Sequence, residues 1–284
     1  GKTFFLKKIL DCFGSIIQKG WTYWDTKKMS DNNLKYIFCI NSGRVGSEYL
    51  AKLLDSAENC IGFHEPKPKM IGVYTKLVKH FPYSWSKPIR VLKINKIKKR
   101  FSVLRMNENV YAETTNMFIK TFSDVAGENF KNINVIFLKR KLIFVLKSFV
   151  DLGYFLPERK EAKKWFTSSN SITSAIKAIK KDYEMDQIEL IISYLIDIEA
   201  RGNRFKLLYP EIPVFEVNIE QLNKIHFVKS LFSKLDLNYS NKTGFLIGDK
   251  INFRNKKKLL NTELDYLQNR IDEYLKKAEE MGIK

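Results

Sequence analysis

The chain has 284 residues, of which 44% are hydrophobic and 13% aromatic, enough for one large buried core. Its net charge is +19, from 50 Lys and Arg against 31 Asp and Glu. The lysines are spread along the whole chain, so the charge favours anionic ligands without singling out nucleic acid. Because no run of about 18 uncharged apolar residues occurs, the sequence predicts no membrane-spanning helix.

Three cysteines, Cys12, Cys39 and Cys60, show no metal-ligand spacing. We expect reduced, mostly buried thiols, and therefore a reducing compartment and a cytoplasmic location, with no metal. The chain opens with Gly1 instead of Met, so the sequence is also compatible with an anchor upstream of Gly1.

Residues 1–34 are predicted to form an N-terminal helical lead-in, because apolar residues recur at helical spacing with lysines between them. One interpretation is a helix packed on the following domain. The alternative is a basic amphipathic segment in peripheral contact with a membrane surface.

From residue 35 onward, short β-type runs alternate with helical ones. The predicted strands are Lys35–Asn41, Cys60–His64, Val110–Thr114, Ile133–Lys139 and Val214–Val217. The predicted helices are Ser47–Ser56, Phe118–Phe130, Leu142–Gly153, Gln221–Leu235 and a longer block from Glu161 to Gly202. This alternation predicts an α/β fold, a three-layer sandwich with a central parallel sheet and helices on both faces. We expect a single domain over 35–284, with a helical insert at about 158–204.

The stretch IFCINSGRVGSEYL (Ile37–Leu50) is typical of a strand that runs into an anion-binding loop. Gly43 and Gly46 permit a tight turn close to a ligand, Arg44 supplies a planar positive fork, and Ser47 opens the next helix. The Lys-Ser or Lys-Thr that serves a magnesium-bound triphosphate is missing. The loop therefore predicts an oxyanion other than the triphosphate of ATP.

A second candidate anion site lies in VIFLKRKLIFVLKSF (Val135–Phe149). Arg140 ends a predicted strand, and Ser148 follows eight residues later on a predicted helix. Both side chains could face one phosphate, with a guanidinium fork and a hydroxyl. The alternative is a surface arginine and an ordinary helical serine.

The two segments resemble the sulfotransferases that use 3′-phosphoadenosine 5′-phosphosulfate (PAPS), and among them the carbohydrate-type enzymes. The resemblance implies a P-loop NTPase-like fold in which the first segment cradles the 5′-phosphosulfate and the second holds the 3′-phosphate. The implied cofactor-binding residues are Ser42, Gly43, Arg44, Val45, Gly46, Ser47, Glu48, Arg140, Ser148, Asn252 and Arg254. Four further segments are similar to the family in the same order: GFHEP (Gly62–Pro66), YAETTNMF (Tyr111–Phe118), VFEVNIEQL (Val214–Leu222) and GDKINFRNKKK (Gly248–Lys258).

The resemblance implies transfer of a sulfuryl group from PAPS to a hydroxyl of a carbohydrate or glycolipid acceptor, with adenosine 3′,5′-bisphosphate (PAP) as product and no metal. Arg44 would neutralise the departing phosphate. Glu65 is the first candidate for the general base and His64 the second. Glu65 and Glu113 are candidate substrate contacts, although a structural hydrogen bond explains Glu113 equally well.

Two other functions fit parts of the sequence. One is a small-molecule kinase, and the other is a basic protein that binds polyanions or nucleic acid on a non-catalytic P-loop fold. We expect no nucleic-acid partner, and the sequence does not indicate an oligomeric state. Trp165, Phe166 and Tyr183 fit either an acceptor groove or an aromatic core.

Overall fold

Five strands separated by helices form the framework of the described chain. The computed structural model describes residues 33–104, 108–159, 161–248 and 260–283, and those from Leu34 onward belong to one compact unit. The strands are β1 (Lys35–Ile40), β2 (Cys60–Phe63), β3 (Val110–Glu113), β4 (Ile133–Lys139) and β5 (Val214–Asn218). The α-helices are α1 (Ser47–Asp55), α2 (Val73–His80), α3 (Tyr83–Leu104), α4 (Ser123–Asn129), α5 (Leu142–Asp151), α6 (Gln187–Leu208), α7 (Ile225–Lys234), α8 (Asn241–Gly248) and α9 (Leu264–Glu280).

All the strands pair in parallel, in the order β2-β3-β1-β4-β5. In the central strand, Phe38 lies between Glu113 of β3 and Val135 of β4. Successive side chains of a strand point to opposite faces, and Tyr36 through Ile40 are all buried. Both faces of the sheet are therefore covered.

Helices supply that cover. Helix α1 packs against β2 and contacts α8, whereas α5 packs against α6 and α9, and α3 packs against α4. The predicted α/β fold with a central parallel sheet flanked by helices is confirmed. Each predicted strand is present, and its limits differ from the prediction by at most one residue.

The predicted helical block over 161–202, and with it the helical insert at about 158–204, is wrong for its first half. The described residues before α6 form an irregular segment with two short 3₁₀ turns, Ala162–Lys164 and Asp182–Glu184. Regular helix begins only at Gln187. The segment is rich in serine and threonine, whose hydroxyls compete for backbone hydrogen bonds.

A capping box fixes the start of α6. The Asp186 carboxylate accepts a hydrogen bond from the Glu189 N–H at 2.9 Å, and the Glu189 carboxylate accepts one from the Asp186 N–H at 3.3 Å. These bonds satisfy N–H groups that have no partner within the helix.

Cys39 and Cys60 are buried free thiols, as predicted. Burial raises the pKa of Cys39 to about 12, because the thiolate would lose its solvation. Cys12 and the predicted lead-in up to residue 32 lie outside the described residues. Among the helices described, none combines the length and the apolar character needed to cross a bilayer.

Candidate active site

The predicted anion-binding loop lies where β1 ends, at the carboxyl edge of the sheet. Gly43, Arg44 and Gly46 have positive φ angles of 85°, 58° and 93°, a conformation that residues other than glycine rarely adopt. Gly46 occupies the N-cap of α1 and has no side chain with which to cap it. The first N–H groups of α1, from Ser47 onward, can therefore bind an anion with the help of the helix dipole.

Gly46 also permits a close approach between the loop and the turn that follows β5. A Cβ atom at this position would lie 2.4 Å from Cδ1 of Ile219. Ile219 begins the 3₁₀ turn Ile219–Asn223 that follows β5. Any side chain at residue 46 would push the loop away from this turn.

Polar groups from three parts of the chain hold the loop. Asn41 donates from Nδ2 to the Thr114 carbonyl at 3.1 Å and accepts at Oδ1 from the Gly43 N–H at 2.9 Å. The Tyr194 hydroxyl, on α6, donates to the Ser42 carbonyl at 2.8 Å. The Ser42 hydroxyl donates to the Gly43 carbonyl at 3.0 Å, so its side chain stabilises the loop itself.

The two predicted anion segments meet in space. Arg44 donates from Nε to the Ser148 hydroxyl at 3.1 Å, and Arg140 donates from Nη1 to the Arg44 carbonyl at 3.4 Å. The contact follows from the sheet order, because β1 and β4 are neighbours. Within the described part of the chain, neither guanidinium forms an ion pair with a carboxylate. Their charge therefore remains available to a ligand.

Lys139, next to Arg140 in sequence, is used differently. Its ammonium lies 2.8 Å from the Glu199 carboxylate and 2.9 Å from that of Glu216. The strand β4 ends at Lys139, and Arg140, the first residue after it, contacts the loop through the Arg44 carbonyl instead.

The loop and Arg140 border an open cleft of about 1750 Å³. The predicted residues that line it are Gly43, Arg44, Val45, Gly46, Ser47, Glu48, His64, Glu65 and Arg140. The Glu48 carboxylate lies 3.6 Å from Lys52, so Glu48 can serve an anion only through its backbone N–H. Asn252 and Arg254 lie outside the described residues.

His64 and Glu65 form a pair at the end of β2. His64 Nδ1 lies 3.2 Å from the Thr114 hydroxyl, which donates its own hydrogen to the Ser47 carbonyl at 2.7 Å. Thr114 can then only accept from His64, so Nδ1 carries the hydrogen and neutral His64 has its lone pair on Nε2. Nε2 is 3.7 Å from Oε1 of Glu65, whose other oxygen is 3.4 Å from Lys69.

Glu113 does not contact the cleft, which corrects its assignment as a substrate residue. It is fully buried, and its carboxylate accepts hydrogen bonds from Lys93 at 2.7 Å and Tyr111 at 2.8 Å. Lys93 also donates to the carbonyls of Pro66 at 3.4 Å and Pro68 at 3.0 Å. Glu113 thus belongs to a buried anchor for the segment that follows His64 and Glu65.

Several cleft residues were not predicted from the sequence. Asn116, Phe149 and Tyr154 line it beside Trp165. Of the three aromatic residues that fit either a groove or a core, only Trp165 lines the cleft. Nothing in their local pattern distinguishes these residues from ordinary core or loop positions. Phe166 is buried and Tyr183 is exposed.

These features define an α/β protein with a candidate anion-binding loop at the carboxyl edge of a parallel sheet. No family model matches the chain, and no curated protein matches it. The described residues hold no cluster of three or more His, Cys, Asp or Glu that could bind a metal ion.

Solved structures that are similar to the chain include three sulfotransferases. The first is the sulfotransferase domain from the curacin biosynthetic pathway, with TM-score 0.49, 13% identity, and coverage of 86% of this chain and 98% of that one. For a sulfotransferase from Alicyclobacillus acidocaldarius the TM-score is 0.48 and the identity 11%, with coverage of 87% of this chain and 95% of that one. For the sulfotransferase domain of the Synechococcus PCC 7002 olefin synthase the TM-score is 0.41 and the identity 12%, with coverage of 85% of this chain and 94% of that one. With TM-scores below one half, function has to be derived from the residues of the cleft.

Proposed function

We propose that this protein is a sulfotransferase that moves the sulfuryl group of PAPS to a hydroxyl of a carbohydrate or glycolipid acceptor. The observation that carries the proposal is the junction of Arg44, Arg140 and Ser148 at the end of a Gly-rich loop. Two guanidinium groups that pair with no carboxylate of the described residues suit a ligand with two separate anionic groups.

The donor set fits a phosphosulfate with a 3′-phosphate better than a triphosphate. A magnesium-bound triphosphate is served by a lysine directly after the last glycine and by a serine or threonine directly after that lysine. Here Ser47 and Glu48 occupy these two positions. The loop offers instead the N–H groups at the start of α1 and the Arg44 side chain. Arg140 and Ser148 would hold the 3′-phosphate, which ATP lacks.

PAPS, when bound, supplies the sulfuryl group: a bond forms from the acceptor oxygen to sulfur, the bond from sulfur to the 5′-phosphate oxygen breaks, and PAP leaves with that electron pair. Arg44 and the N–H groups of Ser47 and Glu48 would stabilise the charge that develops on the departing phosphate. Fixed donors of this kind require no reorganisation during the reaction.

The proton of the acceptor hydroxyl needs a base. His64 presents its Nε2 lone pair beside Glu65, which can balance the charge of the imidazolium that forms. Glu65 is already shared with Lys69. We therefore assign the base to His64 and the supporting role to Glu65, which reverses the order suggested by the sequence.

The cleft has room for both substrates. Its volume of about 1750 Å³ exceeds the roughly 300–1,000 Å³ of a cleft for one small ligand. Trp165 and Tyr154 present half-buried aromatic surface near Asn116. Aromatic faces beside polar groups suit the apolar face and the hydroxyls of a sugar ring.

The first test compares ligand-induced thermal stabilisation by PAP with that by ATP plus Mg²⁺. PAP at about 100 times its dissociation constant should stabilise the protein by about 2.7 kcal/mol. Arg140→Ala should abolish this shift. Lys139→Ala removes the same charge one residue away, from a side chain that is paired with Glu199 and Glu216, and it should preserve the shift.

Stabilisation by ATP with Mg²⁺ alone would support a kinase. If neither nucleotide stabilises the protein while binding to nucleic acid falls steeply with salt, a polyanion-binding protein is the better account.

A further inference from the structure

Lys120 is a fully buried lysine on the π-helical turn Phe118–Phe122, which follows β3. Four cations are buried in the described part of the chain: Arg90, Lys93, Lys120 and Arg201. The other three each contact a carboxylate, namely Asp124, Glu113 and Asp197 in that order. Lys120 has no carboxylate contact among the described residues.

Three acceptors surround the Lys120 ammonium. It donates to Asn116 Oδ1 at 3.1 Å, to the Trp165 carbonyl at 3.0 Å and to the Tyr194 hydroxyl at 3.1 Å. Because Tyr194 gives its own hydrogen to Ser42, its oxygen can only accept from Lys120. All three partners require an N–H, so the geometry fits the charged ammonium and not the neutral amine.

Burial makes the charged form of Lys120 energetically unfavourable. Burial lowers the pKa of Lys120 well below its usual value, and the charge of Arg201 acts in the same direction. The other charged groups that act on it are Lys79 from α2, which opposes the ammonium, and Glu65 and Asp197, which favour it. The rings of Trp165 and Tyr194, with centroids 5.1 Å and 5.3 Å from the ammonium, favour the charge. A buried charge without a contacting counter-ion is stabilised further by an anion nearby.

The three partners of Lys120 either line the cleft or contact the loop that borders it. Asn116 and Trp165 line it, and Tyr194 links Lys120 to the carbonyl of Ser42 in the loop. The ammonium therefore lies directly behind the surface on which an anion would bind.

We propose that the anion bound in the cleft is the counter-charge of Lys120, which makes Lys120 a positioning residue that favours a dianionic sulfate or phosphate group from behind the loop. That the anion belongs to PAPS rests on the proposed function; the role of Lys120 requires only that the loop binds an anion. Lys120 acts through Asn116, Trp165 and Tyr194, and does so only while it is protonated.

The test uses inorganic sulfate and PAP as probes, titrated by NMR or calorimetry between about pH 7 and 9.5, where the charge of sulfate is constant. In wild type, the dissociation constants should increase as Lys120 deprotonates, since the depressed pKa brings this step below the usual range near 10.4. Lys120→Met, which keeps the length of the side chain, should bind both probes at least about tenfold more weakly at pH 7. It should also lose the alkaline weakening.

Tyr194→Phe is the control, because it removes the link to Ser42 and one of the three acceptors but leaves the ammonium bonded to Asn116 and to the Trp165 carbonyl. It should keep the alkaline weakening, whereas a purely structural role of Lys120 predicts the same pH profile in every variant. A folded Lys120→Met protein, checked by circular dichroism, that binds sulfate within about twofold of wild type overturns the proposal.

The remaining outcomes also distinguish the two proposals. If wild type binds sulfate but not PAP, the proposed function fails, and the role of Lys120 is tested by sulfate binding alone. If wild type binds neither probe, both proposals fail. If Lys120→Met does not fold, a wild-type affinity that is independent of pH overturns the role of Lys120, and alkaline weakening in both wild type and Tyr194→Phe supports it.

Discussion

Arg44 donates to the hydroxyl of Ser148 across 3.1 Å, although 104 positions separate the two residues in the chain. The contact exists because β1 and β4 are neighbours in the sheet and both end at the same edge. Each of the two segments brings one arginine to this contact, and the second also brings the Ser148 hydroxyl. Their junction places two weak sequence motifs side by side in the fold.

Ser148→Ala should weaken PAP binding about five- to tenfold, because it removes one hydroxyl from the site and the acceptor that orients Arg44. The ligand-free protein should lose little stability, since Ser148 is partly exposed. Calorimetric titration with PAP and thermal unfolding without ligand measure the two effects. Ser102→Ala, at an exposed serine of α3, is the control and should change neither. A large loss of stability with unchanged affinity would mean that Ser148 has a structural role only.

Gly46→Ala should both destabilise the protein and weaken anion binding. The new Cβ would meet Ile219 at 2.4 Å, in a backbone conformation with φ of +93°. Gly282→Ala is the control, because Gly282 also has positive φ but open space around it, at the turn that ends α9. We expect Gly282→Ala to cost about 1–2 kcal/mol from backbone strain alone, and Gly46→Ala to cost more.

Urea unfolding measures both variants, and Ile219→Ala combined with Gly46→Ala should recover part of the loss. Equal costs for the two glycine variants would contradict a close contact at Ile219.

His64→Gln should lower the rate of sulfuryl transfer by roughly 10²–10⁴-fold if His64 is the base, with little change in KM for PAPS. Glu65→Gln should have a smaller effect, because it removes only the group that balances the imidazolium. Release of PAP in the presence of a carbohydrate panel measures both. A larger loss from Glu65→Gln than from His64→Gln would return the role of base to Glu65.

Lys93→Met should destabilise the protein by about 3–5 kcal/mol, because it leaves the Glu113 carboxylate buried without its counter-ion. Adding Glu113→Gln to this variant should restore much of the stability. Denaturant unfolding of both single variants and the double variant gives the coupling energy. Additive losses would show that the two side chains are not coupled.

The strands could be predicted because each is a short run of β-branched and aromatic residues with a clear end. The two anion segments could be predicted for a related reason, since residues at the carboxyl ends of neighbouring parallel strands come together. The direct contact of Arg44 with Ser148 and Arg140 was not predicted, because it depends on which strands are neighbours in the sheet.

The irregular segment before α6 could not be predicted from periodicity. The Ser168 hydroxyl accepts from the Asn170 N–H at 2.8 Å, and the Ser171 hydroxyl accepts from the Ser168 N–H at 3.0 Å. These local bonds replace those of a helix. Apolar residues of the segment, among them Phe166 and Ile179, recur at a spacing similar to that of a helix, but they pack into the core from an irregular backbone.

Glu113 and Lys120 show a second limit of the sequence. A carboxylate at a strand end suggests a ligand contact, but the partner that removes Glu113 from the cleft, Lys93, comes from the middle of α3. Lys120 lies in the apolar run MFIKTF. A lysine in such a run is a signal for a buried cation, although its partners are spread over distant elements.

The alternation of Lys139 and Arg140 has a consequence for reading charge at this edge. Two neighbouring cations share one strand end, yet the carboxylates of Glu199 and Glu216 occupy Lys139. Of these two neighbours, only Arg140 presents a charge to a ligand that no carboxylate of the described residues compensates, and it does so beside Arg44. The net charge of the chain therefore does not describe the positive potential at this edge. Of the two adjacent cations, Arg140 faces a ligand, whereas the charge of Lys139 is compensated by Glu199 and Glu216.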